Sequence, residues 1–274
     1  MLLLSVLALG APPAQLGVSF APGGLLFPYY AGAAYAMQEA GLIHSATPVG
    51  GSSAGSIIAA AIACDVPEET VQVGLSSLVA DLRAGVGLRV AVREQLRQLL
   101  PDDAVERVSG RLTVCYQRIL PWPKSCFVTE WEDKEDLVDT ICASCNWPFF
   151  FSRWPLVWVR NTLATDGFFA VPRSRFGCPP LNADRTVNVL CLPSVATEFA
   201  DEELIQPGRG AIPPIPVDQG RWFKWALEAA EDEDLANIYA LGRQHAVSWM
   251  TQYTSEGTLK GTLMGAPSSS ATSS

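Results

Sequence analysis

The chain has 274 residues, of which 49% are hydrophobic and 17% are charged. This composition is typical of a globular protein with a sizeable core, and it excludes an intrinsically disordered chain. The net charge of −9 argues against nucleic acid as a partner, because phosphate contacts require clustered Lys and Arg. No apolar run in the sequence reaches the roughly 20 residues that a membrane-spanning helix requires.

The first ten residues, Met1 to Gly10, form an apolar run. Such a run is typical of the core of a secretory signal peptide, but the positive charges that usually precede that core are missing. A leading segment packed on the domain fits the pattern equally well. We therefore assign residues 1–15 as an apolar leader or a signal segment and leave the choice between them open.

Strand and helix patterns alternate along the next part of the chain. Strands are predicted over residues 17–20, 46–49, 114–116, 126–129, 158–162 and 186–192, and helices over residues 29–40, 56–63, 68–100 and 134–145. This alternation predicts an α/β layered domain over residues 16–195. Residues 196–253 have the pattern of a helical C-terminal extension. Residues 254–274 are of low complexity and are predicted to be a disordered tail.

A short glycine- and serine-rich segment, Gly51-Ser52-Ser53-Ala54-Gly55, lies between a predicted strand and a predicted buried helix. It matches Gly-x-Ser-x-Gly in one frame only, which centres on Ser53. In this context the pattern predicts a nucleophile elbow, where Gly51 and Gly55 permit a strained turn and a close helix–strand approach. The following helix would aim free N–H groups at the reaction centre. The alternative is an ordinary turn of small residues.

A nucleophilic serine needs a base, and the sequence contains only two histidines, His44 and His245. The order Ser53, Asp166, His245 formally fits a hydrolase triad, but His245 falls within a predicted helix, whereas such a triad presents its histidine on a loop. A carboxylate acting directly is the other option. Asp166 follows a predicted strand on an Asp-Gly turn among apolar residues, where desolvation would raise its basicity. Asp-Gly is also a common ordinary turn.

Three segments together resemble the patatin-like phospholipase family, and within it the branch of adiponutrin and adipose triglyceride lipase. Residues 20–32 are similar to the glycine-rich oxyanion loop that runs into a helix, Gly51 to Gly55 follow at the family's short spacing, and Thr165-Asp166-Gly167 is similar to its Asp-Gly motif. Between them, Ala143 to Pro148 resembles the branch's Ser-Cys-x-x-Pro helix end. The order and spacing of these segments carry the resemblance.

The resemblance implies the chemistry of a Ser–Asp dyad. Ser53 would attack an ester carbonyl of an acylglycerol or phospholipid, and Asp166 would take and return the proton. The oxyanion would be held by backbone amides from the loop residues Gly23, Gly24 and Leu25. The resemblance implies neither a metal nor an organic cofactor.

The resemblance also implies a three-layer α/β fold, with a central, mostly parallel sheet flanked by helices. The implied partner is a lipid substrate, met through peripheral contact with a membrane or lipid-droplet surface, and the oligomeric state is left open. A cytoplasmic or peripheral location is favoured, and the apolar N-terminus keeps secretory or organellar targeting open.

Some residues depart from the family pattern. Pro22 and Phe27 occupy the outer glycine positions of the loop, and proline has no N–H to donate. Phe168 follows the Asp-Gly pair where many members have glycine. The alternative function is therefore a catalytically weak or inactive relative that acts as a lipid-surface binding or regulatory protein. An aromatic cluster over residues 147–158 would serve either core packing or lipid contact.

Overall fold

A mixed eight-stranded sheet forms the centre of the molecule. The computed structural model describes residues 15–255. The strands are β1 (Leu16–Phe20), β2 (Val49–Gly51), β3 (Leu112–Leu120), β4 (Lys124–Val128), β5 (Val157–Val159), β6 (Thr162–Thr165), β7 (Arg185–Val189) and β8 (Leu204–Ile205). They lie in the order β5-β6-β3-β2-β1-β7-β8, and β4 also pairs with β3. The pairings among β3, β2, β1, β7 and β8 are parallel, whereas β4, β5 and β6 pair antiparallel at one end.

Eight α-helices flank this sheet within residues 15–255. They are α1 (Phe27–Glu39), α2 (Ala54–Ala63), α3 (Glu68–Arg83), α4 (Leu88–Leu99), α5 (Ala104–Val108), α6 (Lys134–Ser144), α7 (Gln219–Leu227) and α8 (Asp232–Ser255). The α/β architecture predicted from the sequence is confirmed. None of the helices in this described part of the chain is both long and apolar enough to cross a membrane.

Strand β1 is buried along its whole length between β2 and β7. A parallel strand needs cover on both faces, and its sequence LGVSF is correspondingly poor in charge. On one face the Phe20 ring meets the Tyr30 ring of α1 with centroids 5.9 Å apart. On the other, the Ser19 hydroxyl donates to the carbonyl of Pro179 at 3.0 Å. Strand β1 ends at Phe20, and the glycine-rich loop that precedes α1 follows it directly.

The observed strands depart most from the predicted ones at two places. The strand predicted over residues 46–49 lies instead at Val49–Gly51, so that it runs directly into α2. The strand predicted over residues 158–162 is a hairpin of β5 and β6, because Arg160 and Asn161 have positive φ values of 44° and 56°. Two consecutive positive φ values form the turn that joins twisted strands, and the sequence lacks the Asn-Gly pair that usually signals it.

Helix α8 packs closely across α1. A Cβ on Gly32 of α1 would lie 2.1 Å from the carbonyl oxygen of Tyr239, and one on Gly242 of α8 would lie 2.0 Å from that of Tyr29. The Tyr29 hydroxyl and Nδ1 of His245 share a buried hydrogen bond of 2.9 Å across the same interface. The helix predicted as part of a C-terminal extension thus contacts the core directly. The predicted leader up to residue 14 and the predicted tail from residue 256 lie outside the described residues.

The close crossing makes a testable demand on Gly32. Gly32→Ala is expected to lower the free energy of unfolding by about 1–3 kcal/mol, because the added methyl group overpacks the contact with Tyr239. Urea unfolding monitored by circular dichroism measures the change. Gly87→Ala is the control, since its Cβ meets nothing within 4 Å and its φ of −64° suits alanine. Equal unfolding midpoints for the two variants would contradict the packing argument.

Candidate active site

Ser53 lies at the junction of β2 and α2 with φ 51° and ψ −132°. A non-glycine residue rarely holds such a conformation, which costs on the order of 1–3 kcal/mol. Its N–H donates to the Ser144 hydroxyl at 2.9 Å. Its carbonyl accepts from the N–H of Ser56 at 2.9 Å and from the Ser56 hydroxyl at 2.6 Å. These contacts hold the strained turn, and α2 begins at the next residue.

The two glycines of the motif permit close backbone approaches on either side of Ser53. A Cβ on Gly51 would lie 2.4 Å from the backbone of Gly55, and a Cβ on Gly55 would lie 2.3 Å from the carbonyl oxygen of Phe20. Any side chain at these positions would push α2 away from β1 and β2. The neighbouring Ser52 is buried, and its hydroxyl donates to the carbonyl of Gly177 at 2.7 Å. Of the two serines, Ser53 is the one that lines the cavity described below.

Asp166 follows β6 and is fully buried. Its N–H donates to the carbonyl of Asn146 at 3.0 Å, and its Oδ1 accepts from the N–H of Phe168 at 2.8 Å. Its Oδ2 is buried and forms no hydrogen bond of ordinary geometry. A buried carboxylate oxygen without a well-aligned donor is costly. The oxygen can accept a proton, and the Ser53 hydroxyl lies close to this carboxyl group.

The structure brings the Asp166 turn against the serine turn. A Cβ on Gly167 would lie 2.6 Å from Cβ of Ser52 and 2.9 Å from the Ser144 hydroxyl oxygen. This approach explains why a glycine follows Asp166. Burial raises the pKa of Asp166 to about 7, and the N–H of Phe168 and the Ser53 hydroxyl partly oppose that rise. Near neutral pH the carboxyl group is therefore present in both its protonated and its deprotonated form.

The C-terminal end of α6 contacts both Ser53 and Asp166. The sequence assigned no role to Ser144 or Asn146, the two residues that make these contacts. Ser144 binds the N–H of Ser53, and the Asn146 carbonyl binds the N–H of Asp166 and the Thr165 hydroxyl. Their only signal in the sequence was the similarity of residues 143–148 to a family motif. A structure is needed to show that two residues of one turn contact both candidate catalytic segments.

The glycine-rich loop borders the same cavity as Ser53. The first hydrogen bond of its short 3-10 segment runs from Leu26 N–H to Gly23 carbonyl at 3.0 Å, so the N–H groups of Gly24 and Leu25 precede that bonded turn. Pro22 cannot donate, but its carbonyl accepts from the Tyr30 hydroxyl at 2.9 Å, which fixes the loop to α1.

The cavity above Ser53 has a volume of about 270 Å³. Its walls are mainly apolar, and the aromatic residues that line it are Phe27, Trp147, Phe150, Phe151, Phe168, Phe176 and Phe223. None of the described residues that line it is a histidine. His245 is buried in the packing of α8 on α1, where burial lowers its pKa to about 4. The structure thus brings Ser53, Asp166 and the loop together and places His245 elsewhere.

Comparison with known proteins extends these observations. The patatin-like phospholipase family model matches residues 18–173. Omega-hydroxyceramide transacylase of Mus musculus is 25% identical over 177 residues, which cover 61% of this chain and 29% of that protein. 1-acylglycerol-3-phosphate O-acyltransferase Pnpla3 of Mus musculus is 28% identical over 154 residues, with coverages of 53% and 37%. Patatin-like phospholipase domain-containing protein 2 of Homo sapiens is 22% identical over 228 residues, with coverages of 73% and 44%.

The chain thus spans less than half the length of each of these curated relatives. Among solved structures, the ExoU–SpcU complex from the type III secretion system of Pseudomonas aeruginosa is similar with a TM-score of 0.50 and 14% identity. The match covers 88% of this chain and 52% of that chain, and it shows a shared fold. The family resemblance predicted from the sequence is confirmed.

The raised pKa of Asp166 predicts how stability depends on pH. An exposed aspartate titrates near pH 4, whereas Asp166 titrates at about 7. Between these pH values Asp166 is protonated in the folded state and ionised in the unfolded state. Its contribution to the free energy of unfolding therefore falls as pH rises from about 4 to about 7. Asp166→Asn removes that penalty. Its free energy of unfolding is expected to exceed that of the wild type by a few kcal/mol at pH 8 and by little at pH 4.

Chemical unfolding at a series of pH values measures this difference. The control is Asp102→Asn, because the Asp102 side chain is fully exposed beside Lys134 and its replacement should change the free energy of unfolding only slightly. A constant difference between Asp166→Asn and the wild type from pH 4 to pH 8 would contradict the burial argument.

Proposed function

Because the chain belongs to the patatin-like phospholipase family, we propose that it is a serine-dependent acyl hydrolase of lipid esters. The observation that carries the proposal is a strained serine, Ser53, that lines an apolar cavity and has its hydroxyl group beside the buried carboxyl group of Asp166. A nucleophile, a base and a water-poor space for an acyl chain are the elements that ester cleavage needs.

In the proposed reaction the Ser53 hydroxyl oxygen attacks the ester carbonyl carbon, and its proton passes to Asp166. The former carbonyl oxygen becomes negative and is stabilised by the N–H groups of Gly24 and Leu25 and by the N-terminus of α2. Collapse of this intermediate expels the alcohol, which takes the proton from Asp166. Water then attacks the acyl-serine, Asp166 again accepts and returns a proton, and the fatty acid leaves. A base with a pKa of about 7 suits this work near neutral pH.

The departures from the family pattern are compatible with an active enzyme. Phe168 replaces a small residue, yet its N–H still binds Asp166 and its ring lines the cavity. Pro22 loses a donor, yet its carbonyl anchors the loop to Tyr30. These contacts support activity over the alternative of an inactive lipid-binding relative.

Acyl transfer to an alcohol is a second candidate outcome of the same intermediate. Two of the relatives are named as a transacylase and an acyltransferase. An alcohol that enters the apolar cavity in place of water would receive the acyl group from Ser53 by the same proton movements. Hydrolysis and acyl transfer differ only in whether water or an alcohol takes the acyl group from Ser53. Adding an alcohol to the assay and analysing the products therefore separates them.

We also propose that the mouth of the cavity faces a lipid surface. Trp147, Phe223 and Leu227 line the cavity and are 41%, 46% and 59% exposed. Phe169 is 44% exposed and stacks on Trp147 with ring centroids 5.2 Å apart, and Phe149 is 73% exposed. Exposed apolar side chains concentrated around a cavity are typical of a surface that meets lipid.

Ser53→Ala tests the proposed function directly. It is expected to reduce hydrolysis of p-nitrophenyl butyrate by at least about 10³-fold, because it removes the oxygen that forms the proposed acyl-enzyme. Ser52→Ala is the matched control and should retain most activity, with a stability loss of about 1 kcal/mol from its buried hydrogen bond. Equal loss in both variants, with both folded, would exclude the proposed nucleophile.

The same assay identifies the base. Asp166→Asn should lower kcat by about 10²-fold or more, whereas His245→Asn, which keeps an acceptor for Tyr29, should stay within about threefold. Wild-type kcat/KM should rise with pH and level off above about pH 7, the pKa of Asp166. A plateau that begins near pH 4, the pKa of His245, would indicate the histidine instead.

The lipid surface is tested with Phe149, which is exposed and does not line the cavity. Phe149→Ala is expected to weaken binding to phosphatidylcholine vesicles about tenfold, since burying a phenyl side chain contributes about 1.5 kcal/mol or more. Vesicle co-sedimentation measures the affinity. Val247→Ala on α8, which also removes a half-exposed apolar group, should bind as the wild type does. Unchanged binding by Phe149→Ala would place the lipid contact elsewhere.

A further inference from the structure

Helix α7 lies beyond residue 173, where the family match ends, yet it packs directly on the glycine-rich loop. Gly24 has a φ of +55°, and a Cβ there would lie 2.1 Å from the carbonyl oxygen of Ala226. Trp222 is fully buried, and its indole N–H donates to the carbonyl of Cys191 at 2.9 Å. The helix is therefore firmly attached beside the loop that would hold the oxyanion.

One face of α7 forms a wall of the cavity. Phe223, Ala226 and Leu227, spaced as neighbours on one helical face, all line it. Ser53 and Gly24 border the same space. A lipid whose ester carbonyl lies at Ser53 would thus have this wall beside its hydrocarbon chain.

We propose that α7 determines which acyl chains the enzyme accepts, with Phe223 and Leu227 as the residues that contact the chain. This proposal rests on the proposed acyl hydrolase activity. Both side chains line the cavity while remaining 46% and 59% exposed. A long acyl chain laid against them buries this apolar surface, whereas a short chain that ends near Ser53 does not reach it.

Chain-length selectivity tests the proposal with Phe223→Ala and Leu227→Ala. The assay compares p-nitrophenyl decanoate with p-nitrophenyl butyrate, each at a concentration at which it is monomeric. The ratio of kcat/KM for the decanoate to kcat/KM for the butyrate is expected to fall about tenfold in each variant. The loss should fall mainly on the decanoate value, because the shorter chain ends near Ser53. Monomeric esters remove any contribution from lipid-surface binding. Lys224→Ala is the control on the same helix, because Lys224 is exposed, pairs with Glu228 and does not line the cavity.

A second measurement separates this proposal from the proposed function. Calorimetric binding of decanoate needs no catalysis, and each α7 variant should bind it about tenfold more weakly than the wild type. If the wild type binds decanoate, the α7 variants bind it more weakly and neither ester is hydrolysed, the hydrolase is overturned and the binding wall is supported. Equal losses for both esters, or unchanged selectivity and decanoate binding in the variants, would overturn the role of α7.

Discussion

The positive φ of Ser53 is a conformation that an L-residue holds only when its surroundings enforce it. Hydrogen bonds of the Ser53 backbone with Ser144 and Ser56 hold this conformation. The neighbouring backbone can pack so closely because Gly51 and Gly55 have no side chains. The position of the hydroxyl group, the start of α2 and the approach of the Asp-Gly turn all follow from that single backbone geometry. The strain is retained because the surrounding backbone is too closely packed to relax.

The end of α6 acts as a rigid connection between parts that are distant in sequence. Through Ser144 and Asn146 it binds the segments of Ser53 and Asp166. The Asn146 side chain also donates to the carbonyl of Pro155 at 3.0 Å and accepts from the Ser152 hydroxyl at 2.9 Å. The segment of residues 147–155, which carries Trp147 and Phe149, is thus fixed to the same turn that positions the candidate catalytic pair. This attachment favours preorganised geometry over adjustment on binding.

Local chemistry made much of this molecule predictable. The motif around Ser53 predicted a tight turn, because Gly51 and Gly55 lack side chains that would block it. The alternation of strands and helices predicted the α/β class. The hairpin at Arg160 and Asn161 was missed because its first turn residue is an arginine, so that the Asn-Gly pair that usually signals two consecutive positive φ values is absent. The contacts of Ser144 and the wall formed by α7 were beyond reach because they join segments through tertiary packing, which leaves no periodic signal. The exposure of Phe149 and burial of Phe151 within one aromatic cluster likewise depend on the packed chain.

The central position of β1 has a consequence for how the chain folds. Its outer partner, β7, lies at Arg185–Val189, and the N–H of Gln15 reaches the carboxylate of Asp184 across 169 positions of sequence. During synthesis one edge of β1 therefore stays unpaired until β7 has left the ribosome. Such late, non-local closure slows folding and leaves an open strand edge exposed to other chains. A fragment that ended where the family match ends would keep that edge permanently, and aggregation would be its expected fate.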